Sequence, residues 1–220
     1  MSLKGARHQQ NEDAFLCIRD RESCLCIVAD GASCCRNGKT GAWLAVLAIR
    51  LFSRSNPFFM YTPATIRNAL TTCMQKLIAI EAACRHQPFE SYGCTVAASY
   101  IDFRIGAVCH YSLGDCTIFR IKNQRMQEVI HPLHDGHHGT VLITSPGCEK
   151  QASCCWDLLC RYDHILLCTD GFTDLFASCL EEHRLKKQVI ETCFDMLAES
   201  IRKRAPEDDC TWIDTGLLSS

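Results

Sequence analysis

The chain has 220 residues, of which 47% are hydrophobic and 22% charged, with a formal net charge of −2. That length can bury one substantial core, and no Pro/Gly/Ser-rich linker or charge block divides it, so a single domain over 1–220 is expected. The balanced charge argues against nucleic-acid or anionic-membrane binding. No apolar run reaches the roughly 18 residues of a membrane span, and Met1 is not followed by an apolar leader, so the cytosol is the expected compartment.

Taken in chain order, strands are expected from Ala14 to Arg19 and from Cys24 to Ala29, joined by the polar turn Asp20-Arg21-Glu22-Ser23. Helical periodicity follows from Thr40 to Arg54 and again from Pro63 to about Arg85, with Thr62 as N-cap and Pro63 in the first turn. The second helix carries Ile66, Leu70, Cys73, Leu77, Ile80 and Cys84 at alternating spacings of four and three, which predicts one apolar face laid on a sheet. Four strands are then expected as an antiparallel meander, at about Gly93 to Ile101, Ile105 to Ser112, Cys116 to Ile121 and Met126 to Ile130. Strands at Thr140 to Thr144 and Ile165 to Thr169, a helix from about Glu181 to Arg204 and a strand from Cys210 to Gly216 complete the pattern. Helices flanking many short antiparallel strands predict an α+β fold with two packed sheets inside.

Eighteen cysteines are too many to pass over. Cys17, Cys24, Cys26, Cys94, Cys109 and Cys168 lie within apolar strand-like runs, where a thiol serves as a small hydrophobe. The chain lacks Cys-x-x-Cys pairs, which argues against a structural zinc site. Cys34-Cys35 and Cys154-Cys155 stand in polar, loop-like surroundings and are the thiols expected to oxidise. His131, His134, His137 and His138 are read as surface histidines of a Pro/Gly-containing loop rather than as a metal cluster.

The chemistry is written in six short acidic motifs: Asn11-Glu12-Asp13, Asp30-Gly31, Gly114-Asp115, Asp170-Gly171, Asp174 and Asp208-Asp209. Asp30 and Asp170 follow the apolar runs Cys24 to Ala29 and His164 to Thr169, so each carboxylate sits where a buried strand surfaces. One Asp-Gly alone is an ordinary turn. Several carboxylates gathered at buried strand ends need a cation or many hydrogen bonds to offset desolvation. Asp13 and Asp30 fall at the same end of the first hairpin, where they can share a ligand.

In order, the segments Gly5 to Phe15, Val28-Ala29-Asp30-Gly31-Ala32, Tyr92 to Ala97, Leu113-Gly114-Asp115-Cys116, Leu167 to Asp174 and Asp208 to Thr211 resemble the metal-dependent type-2C serine/threonine protein phosphatases, in their short bacterial form. The resemblance runs from Gly5 to about Ile213. It implies a four-layer α/β/β/α sandwich, with two mainly antiparallel sheets between helix pairs. It also implies hydrolysis of phosphoserine and phosphothreonine by a metal-activated water, without a phosphoenzyme. In that pattern Asp30 bridges two Mg²⁺ or Mn²⁺ ions, joined by Asp13, the Gly31 carbonyl, Asp170 and Asp208, while Glu12 orients water. Asp115, Asp170 and Asp174 match positions that hold a third ion in relatives. A carboxylate, carbonyl and water set suits these hard ions better than zinc.

The chain departs from the family pattern in two places. His8 stands where relatives usually carry a phosphate-binding arginine, with Arg7 one residue off register, so both are candidates to bind phosphate. Ala32 replaces a histidine that acts as general acid in some relatives. The stretch between Asp115 and Asp170 is short, which predicts a reduced flap and an open site. The expected partner is a phosphoprotein substrate opposed by a serine/threonine kinase, and the expected state is a monomer.

Two rivals remain open. Cys155 and Arg161 have the spacing of a thiol phosphatase, but chance supplies such a pair in so Cys-rich a chain, and the residues between lack the glycines of a phosphate cradle. From another class, a weak or inactive protein of this fold could instead bind phosphoproteins.

Overall fold

The computed structural model describes residues 1–6, 10–56, 58–122, 125–130, 140–159, 164–182 and 206–215. Its strands are β1 (Ser2–Leu3), β2 (Ala14–Arg19), β3 (Ser23–Gly31), β4 (Cys94–Asp102), β5 (Ala107–Leu113), β6 (Thr117–Lys122), β7 (Arg125–Ile130), β8 (Ser153–Leu158), β9 (His164–Cys168) and β10 (Cys210–Asp214). The helices are α1 (Gly38–Ser55), α2 (Pro63–Arg85), the single turn α3 (Cys148–Gln151) and α4 (Asp170–Glu182). The strands form two five-stranded antiparallel sheets, ordered β2-β3-β4-β5-β8 and β1-β10-β9-β6-β7.

Three apolar layers hold these elements together. Ile27, Ala29, Val96 and Tyr111 of the first sheet pack beneath Ala45, Ile49, Leu70 and Met74 of α1 and α2. Between the sheets lie Val28, Ala97, Ile118 and Leu167. On the outer face of the second sheet, Phe172 of α4 meets Trp212 with ring centroids 5.1 Å apart. This is the α/β/β/α order expected, with α1 and α2 on one side and α4 on the other. The helix expected from Glu181 to Arg204 lies outside the described residues beyond Glu182, as do His131, His134, His137 and His138.

Local chemistry explains most of the boundaries. Asp20 Oδ1 accepts from the N–H groups of Glu22 (2.8 Å) and Ser23 (2.6 Å), closing the turn that sets the β2–β3 register. Thr62 caps α2 by accepting from the Thr65 N–H at 3.2 Å.

The structure corrects several expectations. The meander is broken: β4 and β5 belong to one sheet, β6 and β7 to the other. The chain changes sheets at Gly114, where φ is +85° and a Cβ would meet Thr95 Cγ2 at 2.4 Å, so only glycine fits this turn. Thr140 to Thr144 is not a strand. Ile143 donates to the Cys94 carbonyl at 2.9 Å and then turns into α3. The edge strand β8 and the two-residue β1 carry too few alternating apolar residues to stand out in the sequence. Cys154 and Cys155 accordingly sit in a strand, not a loop, while Cys17 is exposed.

The buried face of α2 also differs from the stripe in the sequence. Ile66, Leu70, Met74, Ile78 and Ala82 are buried, whereas Ile80 is 60% exposed and Cys84 is exposed. An alternating four-three spacing describes a seam straight along the axis, but the observed row steps by four and winds slowly round the helix. Among the described residues, no helix is long and apolar enough to cross a membrane.

Candidate metal centre

The acidic motifs meet at one end of the sandwich, where both sheets contribute strand ends. Ala14 pairs with Ala29 across the β2–β3 ladder, which places Asp13 and Asp30 side by side. Asp115 sits on the crossing between the sheets and Asp170 opens α4 directly after β9. Carboxylate oxygens of Asp30, Asp115 and Asp170 lie within 4.8 Å of one another. Asp30 is the hub, since the charge of Asp13 beside it bears on it as well.

The electrostatics of the cluster are those of charges without enough compensation. Burial, followed by the charges of Asp13, Asp170 and Asp115, holds Asp30 well above the usual carboxylate range. Burial pushes Asp13 up to about 7, and the nearby Asp209 adds to this. Asp170 rises to about 6 through burial and then the charges of Asp115 and Asp208. Two buried oxygens, Asp13 Oδ1 and Asp115 Oδ1, have no hydrogen-bond partner. A buried acceptor left unsatisfied costs about 1–3 kcal/mol, more when charged, so both atoms are disposed for a cation. The donors are all carboxylate oxygens, which fits a hard divalent ion.

Neutral groups hold the carboxylates in place. Thr169 Oγ1 donates to Asp13 Oδ2 at 3.2 Å and accepts from the Thr211 N–H at 3.0 Å, tying β9 to β10 beneath the site. Thr140 Oγ1 donates to Asp115 Oδ2 at 2.6 Å. The Gly171 N–H donates to Asp170 Oδ1 at 2.6 Å. A Cβ on Gly171 would lie 2.0 Å from the Asp209 carbonyl oxygen, so the start of α4 rests directly on the Asp208-Asp209 backbone.

That dipeptide has two roles that the sequence alone did not separate. Asp209 is buried and acts as a clamp, accepting from the Gly5 N–H at 2.7 Å and the Glu12 N–H at 2.5 Å. Asp208 is partly exposed and faces Asp170 electrostatically. Their adjacency hid the difference, because the dipeptide itself carries no signal for which of the two carboxylates turns inward. Glu12 is thereby fixed through its backbone. Thr169 and Thr140, the other residues missed, had no signal beyond standing near acidic motifs.

Of the remaining sequence candidates, Gly31 ends β3, buried and paired with Cys94. Asp174 is exposed on α4, one turn after Asp170, where its charge reaches that residue. Arg7 and His8 lie outside the described residues. Cys155, the rival nucleophile, sits on edge strand β8, and burial pushes its thiol up to about 11, opposite to what a thiolate nucleophile requires. Its would-be partner Arg161 is also outside the described residues.

Known proteins converge on the same architecture. The family model described as Protein phosphatase 2C matches residues 5–208. The catalytic domain of the serine/threonine phosphatase PstP, in complex with two manganese ions, superposes with a TM-score of 0.71 and 16% identity over 100% of this chain and 96% of that one. Stp1 from Staphylococcus aureus, a serine/threonine phosphatase, gives 0.70 and 16% over 100% and 94%. RsbX in complex with magnesium gives 0.65 and 15% over 100% and 93%. At these identities the likeness is one of fold. No curated protein sequence matches the chain significantly. The matched span begins at the glycine that abuts Asp208 and ends at Asp208 itself, thereby taking in Asp13, Asp30, Asp115, Asp170 and Asp208, and by that match the chain belongs to the protein phosphatase 2C family.

Proposed function

We propose that the chain, as one catalytic domain over residues 1–220, hydrolyses phosphoserine and phosphothreonine in proteins using Mg²⁺ or Mn²⁺. The observation that carries this reading is the convergence of Asp13, Asp30, Asp115 and Asp170 with two buried oxygens unpartnered. A phosphate dianion cannot approach such a cluster unless cations first reverse its sign, because like charges at about 4 Å repel by roughly 4 kcal/mol per pair near a protein surface.

Asp30 would bridge two ions, with Asp13, the Gly31 carbonyl, Asp170 and Asp208 completing their protein ligands. Asp115 and Asp174 would hold a third ion with Asp170. When bound, the ions supply Lewis acidity toward the phosphoryl oxygens and lower the pKa of water. Glu12, with its backbone fixed by Asp209, would orient the attacking water, and Arg7 and His8 would bind the substrate phosphate. Attack is in line and direct, with no phosphoenzyme. Ala32 has no proton to give, so protonation of the leaving seryl or threonyl oxygen would fall to water or to a residue other than Ala32. The substrate would be a phosphoprotein made by an opposing serine/threonine kinase, and the enzyme would act as a monomer.

Turnover of p-nitrophenyl phosphate tests the reading. We expect activity with Mn²⁺ that is abolished by a chelator and reduced more than about 100-fold by Asp30→Asn or Asp170→Asn, since even residues that only orient a metal ligand cost about 10–100-fold. A folded protein that binds phosphopeptides but turns over nothing with either ion would establish the binding role instead. Cys155→Ser should leave the rate unchanged.

A further inference from the structure

A second cluster of ligating side chains lies away from the carboxylates, on the first hairpin. Cys17 of β2 is the direct cross-strand partner of Cys26 on β3, and Cys24 lies two residues before Cys26, so all three thiols share one face of the sheet. The Cys17 and Cys26 sulfurs are 3.4 Å apart, those of Cys24 and Cys26 3.6 Å, and all three lie within 4.8 Å of one another. None is in a disulfide. Cys24 and Cys26 are buried between the sheets, while Cys17 is exposed on the edge strand and opens the cluster to solvent.

We propose that Cys17, Cys24 and Cys26 form a three-thiolate site for a thiophilic ion with a filled d shell, Zn²⁺ or Cu⁺. Thiolate ligands select such soft ions over Mg²⁺ or Mn²⁺. With metal–sulfur bonds of about 2.3 Å, a tetrahedral ion holds its sulfurs about 3.8 Å apart and a trigonal one about 4.0 Å, so the Cys17–Cys26 and Cys24–Cys26 pairs need only spread by a few tenths of an ångström, with Cys17 and Cys24 already within 4.8 Å. Each ligating thiol releases its proton to solvent and gives a sulfur lone pair to the ion, with no change of oxidation state. Zn²⁺ would take a solvent oxygen on the Cys17 side as fourth ligand, whereas Cu⁺ would be complete with three.

One cation lies beside the sulfurs. Arg19, the cross-strand partner of Cys24, lies next to Cys17 along β2, with its guanidinium carbon 5.2 Å from the centre of the Phe103 ring. Its charge offsets the net negative charge of the complex. The site is separate from the carboxylates: Cys26 and Asp30 are four residues apart on β3, about 13 Å. The usual Cys-x-x-Cys signature is absent because the ligands come from a strand pair, where spacing two and cross-strand register do the work of a tight loop.

The test uses the full chain, stripped of metal and reduced under anaerobic conditions, titrated with Co²⁺ as a spectroscopic stand-in for Zn²⁺ and separately with Cu⁺. We expect one equivalent of one of these ions to give sulfur-to-metal charge-transfer absorption, at least about 10-fold weaker in affinity in Cys17→Ser. Because Cys17 is exposed on an edge strand, that variant should fold. A Cys34→Ser/Cys35→Ser double variant should bind like the wild type. Co²⁺ held only by carboxylates gives no sulfur band, which separates the two centres. A Co²⁺ band displaced by Zn²⁺ would identify zinc as the ion, and a response to Cu⁺ alone would identify copper. Absence of a sulfur band with both ions, or a band unchanged in Cys17→Ser, would overturn the proposal.

Discussion

At the scale of single residues, the site is a store of uncompensated charge, and this sets what substitutions do. Asp30 is held well above the usual carboxylate range, so above the unfolded pKa of 3.8 its ionisation opposes folding of the metal-free protein. Asp30→Asn should therefore raise the melting temperature of metal-free protein at pH 8 in calorimetry, while removing activity. A lower melting temperature would mean that the cluster is not electrostatically strained. Thr169 acts differently, by positioning Asp13 through its hydroxyl. Thr169→Val should weaken Mn²⁺ binding about 10-fold in titration, and Thr169→Ser, which keeps the hydroxyl, should restore it. A purely structural role would leave Mn²⁺ affinity unchanged in the folded variant.

At the scale of elements, the first hairpin and the capped helix were legible because their signals are local. Apolar alternation bounded by a turn marks β2 and β3, and Thr62-Pro63 marks the start of α2. What the sequence did not reveal depends on partners far along the chain. Alternation marks β5 and β6 as strands but says nothing of the change of sheet at Gly114. The same holds at the site: Asp30 and Asp170 stand out after apolar runs, but only packing separates clamping Asp209 from outward-facing Asp208.

The inter-sheet layer also holds a feature with its own pH dependence. His110 of β5 is buried, with Nδ1 2.8 Å from Ser99 Oγ, and burial lowers its pKa from 6.5 to about 4. It is neutral in the folded state, so its contribution is fully present above about 6.5 and is lost as pH falls toward 4, up to about 3 kcal/mol. Denaturant unfolding between pH 7 and 4 should show this loss in the wild type and a shallower one in His110→Gln. Equal slopes would contradict the assignment.

At the scale of the whole molecule, the fold and the centre are one construction. Asp13 and Asp30 come with the first sheet, Asp170 and Asp208 with the second, and Asp115 with the strand crossing between them. No single sheet holds the set, so the carboxylates can meet only when both sheets are packed. The net charge of −2 is modest, yet this one end concentrates acidic side chains that elsewhere would be spread over solvent. Under the proposed function, hard divalent ions would resolve the conflict between burial and charge, and would in doing so supply the chemistry. Anomalous diffraction from crystals soaked in Mn²⁺ tests this most directly. The account predicts manganese peaks among the carboxylates of Asp13, Asp30, Asp115 and Asp170, with Asp30 shared between ions. A fully soaked crystal with those carboxylates in place and no manganese between them would contradict it.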